Sequence, residues 1–145
     1  MLLPVCPVYG LGALAILLLP ETVRQQPLLL FPAAALACTG VEYGAGLFYQ
    51  RVFRVSFWDY SHLPMNLGGR VCPLFSLFWG GLAVVTLWVI HPWVTLLVSA
   101  IPPWALPPVL LLWGADTLLT ALVLRRTGDT NALRWYLPPA RRRTA

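Results

Sequence analysis

Asp59, Ser61 and His62 bring the three side-chain types of a hydrolytic triad within four consecutive positions. In such a relay the base must lie between the acid and the nucleophile, and adjacent positions do not easily converge that way. The simpler expectation is that Asp59 or Ser61 caps a short interfacial helix, while Asn66 and Gly68 shape the turn that follows. Two further acids, Glu42 and Asp116, interrupt long apolar runs. An ionisable group at membrane depth needs a partner or a cavity, so each is a candidate for function. Glu42 has two readings: a charge-dependent role, or a structural ion pair with Arg51, Arg54 or Arg70, with Arg70 and Arg51 the first choices. The bland reading of Asp116 is an interhelical hydrogen bond.

The polar stretch that carries most of these residues, Phe57 to Arg70, is the one long interruption in an otherwise apolar chain. Trp58 and Tyr60 have an apolar ring and a polar edge, which suits them to a lipid headgroup boundary. Pro64 and the Gly68-Gly69 pair rule out one uninterrupted helix through it. The setting is set by composition. Of 145 residues, 59% are hydrophobic and 10% charged, far from the roughly 25% charged of a soluble domain, and mean hydropathy is +0.73. An all-α integral membrane protein follows, because a bilayer core of about 30 Å calls for apolar runs of about 20 residues.

Four such runs are predicted, at about residues 2–19, 28–49, 71–90 and 104–124, giving a membrane domain over 1–124 and a basic tail over 125–145. The first has no basic region ahead of it and no small-residue cleavage site after it, so it is expected to be an uncleaved span. Residues 20–27 make a connecting loop. Residues 93–101, which follow His91-Pro92, are apolar but too short to cross and are expected at the interface or in a turn. Gly40 and Gly44, and again Ser76 and Gly80, are four apart, the spacing that lets helices approach closely in lipid. Cys6, Cys38 and Cys72 have no CxxC spacing and are expected to pack as small apolar residues, without a disulfide or metal. His91 is expected to be an interfacial anchor.

The formal charge is +5, from ten arginines and five acids, with no lysine. Six arginines follow residue 124 and three lie between 50 and 70, against one in the 20–27 loop. That distribution belongs to membrane flanks rather than to a nucleic-acid surface, and it places the central loop and both termini in the cytoplasm.

Pro7-Val8-Tyr9-Gly10-Leu11-Gly12-Ala13-Leu14, then Glu42, then Trp58-Asp59-Tyr60-Ser61, Asn66, Gly68, Arg70 and Ser76-Leu77-Phe78-Trp79-Gly80 form an ordered pattern. Over about residues 5–120 it resembles the bacterial family named putative ABC-transporter type IV, the CmpB-like permease subunits. Members of that family usually carry a further segment before the Pro-Tyr-Gly motif, so the resemblance implies either a shortened member or a sequence truncated at its start. It also implies a permease subunit in a bacterial inner membrane, driven by a separate ATPase, since the chain has no GxxxxGK[ST] phosphate loop of its own. Four spans are few for alternating access, so a permease of this size is expected to assemble with copies of itself or with another membrane subunit. The Trp58 to Arg70 loop would then be the ATPase docking surface, with Glu42 and Asp116 lining or bracing the path. The alternative is a membrane interaction or regulatory subunit that transports nothing. A lipid-headgroup enzyme built on Glu42, Asp59, His62 and the arginines is the least supported, because no nucleophile or metal spacing accompanies them. No enzymatic activity and no cofactor are therefore expected of the chain itself.

Overall fold

The structure is a computed structural model, and it describes residues 6–133. In chain order the elements are α1 (Pro7–Leu17), the single turn α2 (Glu21–Arg24), α3 (Pro27–Phe48), α4 (Pro73–Val85), α5 (His91–Ser99) and α6 (Leu106–Thr127). Helix α3 runs on into a π-turn at Tyr49–Phe53, and α4 passes into α5 through a second at Thr86–Ile90. Short 3-10 turns at Pro103–Ala105 and Thr130–Leu133 flank α6. No strand is present among the described residues beyond one isolated bridge, Leu67 to Val71.

Among the described residues, three continuous helices are long and apolar enough to cross a membrane: Pro27–Phe53 and Pro73–Ser99, of 27 residues each, and Pro103–Thr127, of 25. At 1.5 Å per residue they are about 38–40 Å long, more than a hydrocarbon core of about 30 Å requires. Apolar side chains cover their outer faces, with Leu36 77% and Leu111 75% exposed, whereas Glu42, Asp116 and Thr120 are buried. That inverted distribution is what lipid as a solvent selects.

Several boundaries differ from the sequence expectation. The second span does not stop at residue 49 but continues to Phe53, where Arg54 turns the chain with φ 58°. The third does not end at residue 90, and the 93–101 stretch assigned to the interface is largely its continuation, α5. His91-Pro92 fails to stop the helix because the π-turn precedes it: the His91 N–H reaches back to the Thr86 carbonyl, and Pro92 takes an early position in α5, where a missing N–H does least harm. Helix α6 runs to Thr127, so Arg125 and Arg126 form its last turn rather than the start of a tail. Of the expected first span, α1 supplies 11 residues. Residues 2–5 and 134–145, with Arg134 and Arg141–Arg143, lie outside the described residues.

The chain divides into two compact units, one of Pro7–Leu47 with Trp58–Ile101, the other containing Cys6, Phe48–Phe57 and the described residues from Pro102 on. In the first, Ile16, Leu30, Ala34, Cys38 and Ala83 form the core, with Leu19, Trp79, Val84 and Leu87 packed against it. Small residues bring α3 and α4 together there. A Cβ on Gly80 would come 2.8 Å from the Phe31 carbonyl and 3.2 Å from Ala35 Cβ. The same face carries a polar link, Thr39 donating to Ser76 Oγ across 2.7 Å and Ser76 donating to the Cys72 carbonyl at 3.1 Å. The expected Ser76/Gly80 packing face is therefore present. The Gly40/Gly44 face is not: both glycines are exposed and nothing lies within 4 Å of a Cβ at either. The second unit closes around Val55, Leu124 and Leu133, with Tyr49, Phe53 and Val123 against them, and Asp116 is buried on its helix α6.

Candidate functional site: a buried carboxylate beneath a latched loop

Residues 58–72 contain no helix, so the expected short interfacial helix capped by Asp59 or Ser61 does not form. The polar side chains instead organise a compact loop. Asp59 accepts from the Ser61 N–H at 2.9 Å through one oxygen and from the Ser61 hydroxyl at 3.0 Å through the other. This Asx-type turn spends the serine and the aspartate on each other. The Ser61 hydroxyl thus donates to Asp59 and not to His62, and no triad relay is assembled. These two bonds hold the Asp59 carboxyl below its ordinary value. Asn66 then ties the far side, its amide donating to the Leu63 carbonyl at 2.8 Å and the Ser61 carbonyl at 3.2 Å while its oxygen accepts from the Gly69 N–H at 3.0 Å. Gly68 and Gly69 have φ of 60° and 67°, a region in which residues with a Cβ are strained. A Cβ on Gly69 would lie 2.7 Å from Asp59 Oδ1. The turn role expected of Asn66 and Gly68 is met.

The loop is fastened to the helices through three aromatic residues. Trp58 donates its indole N–H to the Arg70 carbonyl at 2.8 Å, closing the loop's base. Trp58 and Arg70 together cover Gly46 on α3, where a Cβ would sit 3.4 Å from each. The Tyr60 ring stacks on Phe75 at the start of α4, with centroids 4.5 Å apart and planes at 14°. The Tyr60 hydroxyl reaches α3 and donates to Glu42 Oε1 at 3.0 Å. Burial first, and then the Glu42 carboxylate, push the Tyr60 hydroxyl well above its ordinary value, which keeps its proton in place as the donor.

Glu42 is 4% exposed. Its second oxygen, Oε2, accepts from the Trp79 indole N–H at 2.9 Å, and Tyr9 of α1 packs on that indole with centroids 5.5 Å apart. The expected pairing with Arg70 or Arg51 is therefore replaced by two uncharged donors, one on each carboxylate oxygen. Arg70 instead places its guanidinium 5.5 Å from the centre of the Tyr43 ring, a cation–π arrangement one position along α3 from Glu42. Glu42 is also deeper than the sequence suggested, eleven positions before Phe53 at the end of the helix, or about 16 Å along it.

The structure thus gathers Glu42, Trp58, Asp59, Tyr60, Ser61, Asn66, Gly68 and Arg70 into one constellation, while Asp116 belongs to the other unit. Trp79 and Tyr9 were not assigned to the site from the sequence. The available signal was that an indole N–H inside a span needs an acceptor, and that Trp79 stands three positions after Ser76, on the same helix face. Among the described residues no three His, Cys, Asp or Glu side chains group as metal ligands.

Apolar helices of spanning length, carrying a buried acid held by a polar loop, define a polytopic membrane protein. Residues 1–124 match the family described as "Putative ABC-transporter type IV", and the chain belongs to that family. Neither a curated protein nor a solved structure matches the chain.

Proposed function

We propose that the chain is a permease-type membrane subunit of an ABC-type transporter of the bacterial inner membrane, with ATP hydrolysis supplied by a separate ATPase. In this reading the 58–72 loop and both termini face the cytoplasm, in keeping with the arginine distribution. The observation that carries it is the Tyr60 to Glu42 hydrogen bond. It joins a surface loop, rigid enough to receive a partner, to a side chain inside the span, so a push on the loop reaches the membrane interior directly. Ion-translocating and regulatory elements are built from such intramembrane acids.

Affinity purification in a mild detergent tests the proposal. A stoichiometric ATPase that is retained by the wild type and released by a disordered loop, as in Gly69→Val, supports it. A second reading, a non-transporting interaction or regulatory subunit, is favoured by the engagement of both Glu42 oxygens by Tyr60 and Trp79, which leaves the carboxylate committed to structure. Recovery of a membrane partner without any ATPase selects that reading and removes the first.

A further inference from the structure

At the opposite end of the same unit, α2 and the π-turn of the third span border an open pocket of about 380 Å³, lined by Glu21, Arg24, Gln25, Trp88 and His91 among others. From Trp79 to His91 is twelve positions, about 18 Å along the helix, so the pocket lies well along the span from the Glu42 site. Its volume is in the range of small-ligand sites, roughly 300–1,000 Å³. π-turns inside α-helices are frequent at functional sites, and here Trp88 lies within such a turn and His91 directly after it.

The charges in the pocket are arranged unusually. Glu21 and Arg24 are three positions apart on one turn, a spacing at which opposite charges commonly pair, yet among the described residues neither makes an ion pair. Each is instead oriented by a neutral neighbour. Arg24 Nε donates to the Leu19 carbonyl at 3.0 Å, and Glu21 Oε1 accepts from the Gln25 amide at 3.0 Å. The remaining Glu21 oxygen and the terminal nitrogens of Arg24 are left for a ligand. A separated anion and cation beside an indole match a ligand whose own charges are separated. A guanidinium suits a phosphate, and a carboxylate with an indole face suits an ammonium.

We propose that this pocket binds a zwitterionic phosphate–ammonium group, phosphoethanolamine in type, with the phosphate at Arg24 and the ammonium at Glu21 and Trp88. Glu21 and Arg24 lie on the turn that leads into the second span at Pro27, which makes a phospholipid headgroup at that end of the span its natural source.

The test measures the melting temperature of the full chain in detergent as phosphatidylethanolamine, phosphatidylglycerol or soluble glycerophosphoethanolamine is added. Phosphatidylethanolamine is expected to stabilise the wild type at a concentration at least tenfold lower than phosphatidylglycerol. Glu21→Gln should abolish that preference, and Arg24→Gln should weaken the response tenfold or more. A shift with glycerophosphoethanolamine identifies the headgroup as sufficient, and a shift with the lipid alone identifies a membrane lipid as the source; either supports the assignment. Equal responses of the wild type to the two lipids, or no response to any of the three, overturn it without recourse to a variant. So does an undiminished preference in both variants.

Discussion

Tyr60 and Glu42 are eighteen positions apart, one in a surface loop and the other inside a helix, and a single 3.0 Å hydrogen bond joins them. Tyr60→Phe removes the hydroxyl and keeps the ring stacked on Phe75. It should destabilise the protein by about 1.5–3 kcal/mol, the range for hydrogen bonds to a charged group. Glu42→Gln should also destabilise, since an amide cannot accept from both Tyr60 and Trp79 through equivalent oxygens. Unfolding in detergent of the two variants and the double variant should show coupling of about 0.5–3 kcal/mol. Additive losses would show that the bond does not latch the loop.

The glycines of α3 and α4 should separate sharply in a substitution series. Gly80→Ala forces the helices apart at Phe31 and should cost about 1–3 kcal/mol, as overpacking does. Gly44→Ala meets open space and should fall within about 0.5 kcal/mol of wild type or slightly above it, given the helix propensity of alanine. Thermal unfolding of the two variants side by side checks the contrast, and equal losses would refute the assigned packing face.

Asp59 gives the loop a defined acid response. Its native value is depressed by the Ser61 bonds below the ordinary 3.8. Its contribution is therefore fully present above that value and is lost as pH falls through the depressed native one. Exchange of the Ser61 amide hydrogen should stay slow, relative to its intrinsic rate, at neutral pH and accelerate only in strong acid. In Asp59→Asn that acid step should disappear; an unchanged step would assign it to another group.

The loop and the C-terminal side of α6 are predicted to face the cytoplasm. His62 is exposed on the loop, so His62→Cys, with Cys6, Cys38 and Cys72 replaced, should react with an impermeant thiol reagent in inverted vesicles and not in intact cells. Labelling of intact cells reverses the orientation.

What the sequence showed, and what it hid, follows from the range of each interaction. The spans were legible because twenty apolar residues in a row have few alternatives in water or lipid, and the 58–70 loop because Pro64, Gly68 and Gly69 act locally. Ser76 and Gly80 were legible as a packing face by spacing alone, but the same spacing misled at Gly40 and Gly44, since it cannot say where the neighbouring helix lies; on α3 it is Gly46 that receives Trp58 and Arg70. Arginine was the expected partner of Glu42 because charge is visible in a sequence. The pairing of Trp79 with Glu42, 37 positions apart, required the helices to be assembled first. The helix through His91-Pro92 was hidden for a different reason: proline reads as a stop unless the turn before it is known to be wide.

That wide turn also sets the rotational phase between the two ends of the third span. A π-turn holds one residue more than the α-turn it replaces, and each residue of an α-helix advances about 100° around the axis. Deleting Val89 would remove that extra residue and let Thr86–Ile90 close as an α-turn, so His91 and everything after it would keep their angle to Trp79 and the Glu42 latch. The third span can therefore lose one residue at this turn without rotating one end against the other. A Val89 deletion should keep both the lipid response at the His91 end and the protection of the Ser61 amide, and loss of the lipid response alone would show that the turn does not close.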